Sequence, residues 1–378
     1  MRKDFKSYLI LASLLSFLWI LPKSFTEKLR EGVVNIGSKF HHKKPIYEID
    51  SANLEELKLE NMLLSQQIQE IKEYLDSSEF LEEQGSKLEK IQQQEVKTSD
   101  TRELAFFKRR EKHLLERLNH HMHALTAKVV YRDPAFWNSF FWIDVGQEDN
   151  KALEHEVIAL NSPVVKGENL VGVIDYVGTK RSRVRLITDA SMCISVRVLR
   201  GSEQNTLLLQ QLDSVMQNLK FCRGVFFSDE EQESTLNILK HLQENIQTSV
   251  QDRYLAKGEL RGSSEPLWRA RQSLLKGVGF NYDYEDEEGP SRDLRTGMIL
   301  NKKLGIHPEA LLKEGDLLVT TGMDGVFQEG LHVALIEKVE LLEEGAIAYD
   351  LWAKSTIPYL YEVSRVSVLP PLSQGESF

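Results

Sequence analysis

Between Ser51 and Ala127 the chain holds no proline and a single glycine, Gly85. Inside that stretch Leu54, Leu57, Asn61, Leu64, Ile68, Ile71 and Leu75 recur at alternating intervals of three and four. This spacing is an a/d seam, the pattern of a helix that zips against a second helix. A helix packed on its own domain would carry a broader apolar face, whereas here the flanking positions are Glu, Lys, Gln and Ser. The polar Asn61 falls at an a position, where asparagine costs stability but selects a parallel, two-chain register. The spacing therefore predicts a coiled coil over 51–126 and a homodimer. The seam thins through Gly85 and the run QQQEVKTSDTRE at 92–103, then resumes at Leu104, Phe107, Leu114, Leu118 and Leu125. A continuous helix of this length would reach about 100 Å.

Ahead of the rod stands YLILASLLSFLWIL at 8–21, behind a basic tail with Arg2, Lys3 and Lys6. This apolar segment of fourteen residues falls short of the ~20 that span a bilayer, and it matches the h-region of a signal peptide. No Ala-x-Ala site follows, and Lys6 and Lys23 can snorkel to lengthen the effective span. The segment is read as an uncleaved anchor, with a cleaved signal as the alternative. Lysines and arginines lie on both sides of it, so charge alone does not orient it. A short N-terminal tail (1–7) placed in the cytoplasm puts residues 22–378 outside.

From Ala127 the period changes. Short alternating runs are separated by turn residues: Ala127–Tyr131, Phe140–Val145, Leu170–Ile174, Val184–Asp189 and Ile194–Val198. Turns at roughly ten-residue spacing describe a compact barrel or sandwich. Gly146 and Gly167 are read as turns, and Gly172, inside a strand, as a bulge or a close backbone approach. LLLQQLDSVMQNL and STLNILKHLQENIQ then show helical spacing, and an acidic run follows at 283–288. The strand pattern returns at Asp316–Thr321 with a tight turn through Gly322 and Gly325, then Gly330, and strands continue to Leu369. The expected fold is a transmembrane helix and a long coiled-coil helix, followed by an all-β region of two small barrel-like domains with a helical insertion. The boundaries are 127–205 for the first β domain, 206–299 for the helical insertion and acidic loop, 300–370 for the second β domain, and 371–378 for a polar tail.

The residues give little support to chemistry. A net charge of −10 disfavours nucleic acid as a partner. Cys193 and Cys222 are the only cysteines. They make no disulfide framework, and whether they pair is left open. His155, His241, His307 and His332 lack the spacing of metal ligands, and of the cluster His120, His121 and His123 only two share a helix face. No Gly-x-Ser-x-Gly is present and no Ser, His and Asp set can be nominated. No catalytic, metal or cofactor-binding residue is expected, which disfavours a cell-wall peptidase. An export-pump adaptor would place β sequence before its coiled coil, and none is found there. A periplasmic adaptor of an export system and a secreted coiled-coil protein remain the alternatives.

One block of motifs runs Arg132-Asp133-Pro134, Trp137, Gly146, Pro163-Val164-Val165, Asn169-Leu170-Val171-Gly172 and Val184-Arg185-Leu186-Ile187-Thr188-Asp189. A second runs Gly315-Asp316, Val319-Thr320-Thr321-Gly322 and Gly325-Val326-Phe327-Gln328-Glu329-Gly330. On these residues the β segments resemble the rod-shape-determining protein MreC family. The chain departs from the pattern at Gln328, where the family has proline, and in the length of the helical stretch. The resemblance implies a single-pass protein of the bacterial inner membrane, with its N-terminus cytoplasmic and its bulk periplasmic. It implies a dimeric, self-associating scaffold of peptidoglycan elongation. Its implied partners are MreB, MreD and a class B penicillin-binding transpeptidase with its polymerase.

Overall fold

The computed structural model describes residues 122–372 apart from 134–135, 154–155, 222–228, 247–252, 264–273, 283–309, 343–344 and 358, with isolated positions at 32, 64 and 120. The expected anchor at 8–21 and, Leu64 apart, the expected seam from Leu54 to Leu75 lie outside these residues. Leu64 is helical and 50% exposed. Among the described residues no helix is long and apolar enough to cross a membrane.

Strands β1 (Leu125–Arg132), β2 (Phe140–Ile143), β3 (Pro163–Lys166), β4 (Asn169–Val177) and β5 (Ser182–Leu186) come first. After β6 (Cys193–Arg200), helices α1 (Ser202–Phe221) and α2 (Asp229–Asn245) precede β7 (Arg253–Gly262) and β8 (Leu274–Tyr282). The chain ends with β9 (Leu317–Thr320), β10 (His332–Val339), β11 (Tyr349–Ser355) and β12 (Arg365–Val368). The pairing resolves into two rings. One runs β4-β3-β12-β1-β2-β5 and closes through β4–β5. The other runs β11-β8-β7-β6-β9-β10 and closes through β10–β11. Closure into six-stranded barrels leaves no long strand edge to recruit another chain. The rings meet where β10 pairs in parallel with β4, His332 opposite Asn169.

The burial follows from the residue types. β2 reads Phe-Phe-Trp-Ile, and Phe141, Trp142 and Ile143 are fully buried. Each such side chain contributes about 1.5–3 kcal/mol relative to exposure. β5 alternates buried and half-buried residues, with Val184 and Leu186 inside. β9 is apolar at three positions and buried throughout, because Leu318 faces the main core while Leu317 and Val319, on the opposite face, cluster with Leu199 and with Leu207 of α1.

The pairing divides the chain differently from the sequence reading. β6, read with the first β domain, pairs with β7 and β9 and so belongs to the second barrel. β12, read with the second, pairs with β1 and β3 and closes the first. The second barrel is thus inserted between β5 and β12 of the first. The interval 206–299 is not wholly helical, since β7 and β8 lie in it and pair with each other. Their alternation is disguised by glycines at inward positions. A Cβ on Gly258 would stand 2.7 Å from the Phe280 ring, and one on Gly277 would stand 2.4 Å from Leu351. These glycines make room for a large side chain, so the apolar residue expected at every second position is missing. Leu125, placed on the resumed seam, is the first residue of β1 and pairs with Val368. Cys193 is exposed and carries no disulfide.

Candidate functional site

β1 ends at Arg132, followed by Asp133 and a turn in which the Phe136 amide donates to Asp133. The Arg132 guanidinium folds inward. Its Nη2 donates to the carbonyls of Leu360 at 2.8 Å and Val363 at 2.9 Å, and its charge lies 4.7 Å from the centre of the Phe141 ring. Burial pushes its pKa down to about 10. Its Nη1 is buried without a hydrogen-bond partner. This side chain fastens the corner after β1 to the segment that brings the chain back from the second barrel into β12.

The fastening gathers aromatic rings from distant parts of the sequence. Trp137 meets Tyr361 edge-on at 5.7 Å, and Tyr361 meets Tyr359 edge-on at 5.6 Å. Phe136 stacks on Phe140 at 5.6 Å. Phe136, Tyr359 and Tyr361 are each about half exposed. Desolvation first, and then neighbouring Glu362, raise the Tyr361 pKa. Single exposed aromatics are ordinary on a soluble surface, but rings in mutual contact, as Trp137, Tyr361 and Tyr359 are, mark a place where another molecule docks. Tyrosine and tryptophan suit such a face because they offer large rigid area with a polar tip.

The joint between the barrels is charged. The His332 amide donates to the Glu168 carbonyl at 3.0 Å. Its buried ring places Nε2 3.7 Å from Glu168 and 3.6 Å from Glu203. Nearby in the second barrel, Arg197 pairs with Glu329 at 2.9 Å and lies over the Tyr254 ring. Arg200 makes a two-pronged pair with Asp316 at 2.6 and 2.8 Å, and Asp316 also accepts from the Lys313 amide. Removing one partner of such a pair leaves a buried charge uncompensated. Asp316→Ala is therefore expected to cost about 3–5 kcal/mol. Thermal unfolding of the purified chain, followed by circular dichroism, measures this, and an unchanged midpoint would contradict it.

The glycines singled out from the sequence fall as follows. Gly167 (φ 62°), Gly322 (φ 76°), Gly325 (φ 67°) and Gly330 (φ 90°) adopt left-handed backbone at the β3–β4 and β9–β10 connections. Between Gly322 and Gly325, Asp324 accepts the Val326 and Phe327 amides at 3.0 Å. Gly146 follows β2, and a Cβ there would stand 2.6 Å from the Arg181 backbone nitrogen. Gly172 lies within β4, where a Cβ would stand 2.0 Å from the Arg185 carbonyl oxygen. The ladder also shifts register opposite it, between Val164 and Val165. None of these glycines touches the aromatic face. Of the seam residues Leu54, Leu57, Asn61, Ile68, Ile71 and Leu75, nothing is described.

The sequence reading passed over Tyr359 and Tyr361, and it quoted Arg132 only as part of a pattern. A Tyr-x-Tyr repeat just before the last strand was the available signal. Among the described residues, no group of three or more His, Cys, Asp or Glu is placed to hold a metal.

Residues 129–259 match the family described as rod shape-determining protein MreC, barrel core. No curated protein sequence matches the chain. Among solved structures it is similar to MreC from Listeria monocytogenes, with 19% identity over 76% of this chain and 94% of that one, at a TM-score of 0.39. It is similar to MreC from Pseudomonas aeruginosa, with 18% identity over 65% of this chain and 97% of that one, at a TM-score of 0.36. It is also similar to a complex between penicillin-binding protein PBP2 and MreC from Helicobacter pylori, with 10% identity over 65% of this chain and 97% of that one, at a TM-score of 0.32. Residues 129–259, which carry the first block of motifs on which the resemblance rested, form a barrel core similar to that of the rod shape-determining protein MreC family.

Proposed function

We propose that this chain is a membrane-anchored, dimeric scaffold of the peptidoglycan-elongation and cell-shape machinery. In this reading the segment at 8–21 holds the protein in the inner membrane with its N-terminus in the cytoplasm. The seam from Leu54 to Leu75 pairs two copies, and the barrels stand in the periplasm as catalytically silent heads. The observation that carries the reading is the exposed aromatic face of Phe136, Trp137, Tyr359 and Tyr361 on a barrel core of this family. Its occupant is a class B penicillin-binding transpeptidase, which brings its polymerase, while MreB and MreD join through the cytoplasmic tail and the membrane segment. Pairing the rods doubles the number of faces presented together and raises the local concentration of whatever they bind.

Aromatic anchors near the middle of an interface each contribute about 2 kcal/mol or more. Trp137→Ala with Tyr361→Ala is therefore expected to weaken binding of the transpeptidase ectodomain by about a hundredfold or more. Biolayer interferometry measures the loss, and a melting curve of the same variant checks that the barrels persist. Unchanged affinity in a folded double variant would remove the aromatic face from the proposal.

A further inference from the structure

Two contacts stand out where the barrels meet. At one, the end of β7 presses on the segment after β5, so closely that a Cβ on Gly262 would run into the carbonyl oxygens of Thr188 and Asp189. That contact is backbone on backbone and carries no charge. At the other, β10 and β4 share a ladder of one residue pair, His332 with Asn169, and the His332 amide donates to the Glu168 carbonyl. β7 and β10 are three steps apart in the ring β11-β8-β7-β6-β9-β10, on opposite sides of it. One contact can therefore act as a pivot while the other opens.

The second contact is built around a buried imidazole. His332 Nε2 stands 3.7 Å from a Glu168 oxygen and 3.6 Å from a Glu203 oxygen. Glu168 lies in the turn between β3 and β4 of the first barrel, and Glu203 in the first turn of α1. One turn further along α1, Leu207 packs on Leu199, Leu317 and Val319, which lays the helix on the outer face of β6 and β9. Three bodies thus converge on one ring: the first barrel, the second barrel and the base of the helical pair. Asn169, opposite His332 in the ladder, keeps its Oδ1 buried without a hydrogen-bond partner. On the other side of His332 the ladder neighbour Val319 is apolar, and Arg197 beyond it pairs with Glu329 at 2.9 Å. Lys166, at the end of β3, is exposed. Among the described residues, the cation placed between the two carboxylates is His332, and it is a cation only when its ring is protonated.

We propose that His332 is a proton-operated clasp between the two barrels. A charged ring attracts both carboxylates at once and holds the barrels and the start of α1 in one arrangement. At 3.6–3.7 Å neither contact is a hydrogen bond, so charge is what joins all three. A neutral ring leaves Glu168 and Glu203 facing each other as like charges in a partly buried site, and the joint opens about the contact at Gly262. Histidine ordinarily changes charge near about pH 6.5. A cation that gains two carboxylates on closing holds its proton more tightly closed than open. Closure is therefore complete in mild acid and is lost as the pH rises through the histidine range. The clasp sets the angle between the first barrel, with its aromatic face, and the second barrel with its helices. It stands whatever occupies that face.

Double electron–electron resonance of the full chain in detergent tests it. Spin labels are placed at Lys180→Cys in the first barrel and Lys276→Cys in the second, both exposed, with Cys193 and Cys222 replaced by serine. The distance distribution is expected to broaden about twofold or more between roughly pH 5 and roughly pH 8. In His332→Gln and in Glu168→Gln it is expected to be broad at both. Glu168→Gln alters a partly exposed turn residue, and it decides the matter where His332→Gln does not fold. Identical distributions at the two pH values in the labelled parent, or a pH response that survives in either variant, would overturn the clasp.

Discussion

Gly172→Val lowers the melting temperature of the chain by about 10 °C or more. Gly172 faces two neighbours at once. It pairs with Val164 on one side and Leu186 on the other, in the wall of the first barrel. A Cβ at that position would stand 2.0 Å from the Arg185 carbonyl oxygen and 2.9 Å from its carbon. Both atoms are backbone of a paired strand, so no rotamer change relieves the contact. β4 or β5 must move, and a closed ring transmits that movement around its circumference. Overpacking of a well-filled core typically costs about 1–3 kcal/mol, and here a broken ladder adds to it. Gly172→Ala already supplies the clashing atom and is expected to lose most of the same stability. Differential scanning calorimetry of the purified variants measures both. A Gly172→Val protein melting within a degree or two of wild type would show that the strands separate freely.

Leu64→Lys with Ile68→Lys is expected to leave the chain monomeric if the proposed seam pairs two copies. By sequence spacing the two residues take successive core positions of that seam, so each pair of chains would bury four lysines, and an unpaired buried ammonium costs more than the seam gains there. Light scattering of the detergent-solubilised chain measures the mass. Loss of rod shape in cells carrying only the variant is expected alongside it. A variant that stays dimeric would place the contact elsewhere, and a monomer that still supports wall growth would separate pairing from function.

The sequence made the barrels legible because their strands alternate and their turns are marked. Gly322-Met323-Asp324-Gly325 joins two antiparallel strands, β9 and β10, as the Asp-Gly pair suggests. It did not make their boundary legible. Which strand closes which ring depends on pairings between residues far apart in the chain, such as Lys128 with Arg365, and no local pattern encodes them. β7 and β8 were hidden for a different reason. Gly258 and Gly277 stand where an apolar side chain would complete the alternation, because the Phe280 ring occupies that space. The aromatic face was half visible. Trp137 belonged to a recognisable pattern, but Tyr359 and Tyr361 reach it through pairings distant in sequence, the Trp137–Tyr361 ring contact and the Arg132 donors that span more than two hundred residues to Leu360 and Val363.

The central claim is that paired, non-catalytic barrels hold a wall-synthesising transpeptidase at the membrane. Its most direct test is mass photometry of the full-length chain and the class B transpeptidase of the same cell, co-reconstituted in nanodiscs. The account predicts a particle containing two copies of this chain with transpeptidase bound, and predicts that the transpeptidase is lost when Trp137 and Tyr361 are both alanine. Transpeptidase that remains separate from the wild-type chain at micromolar concentration would contradict it.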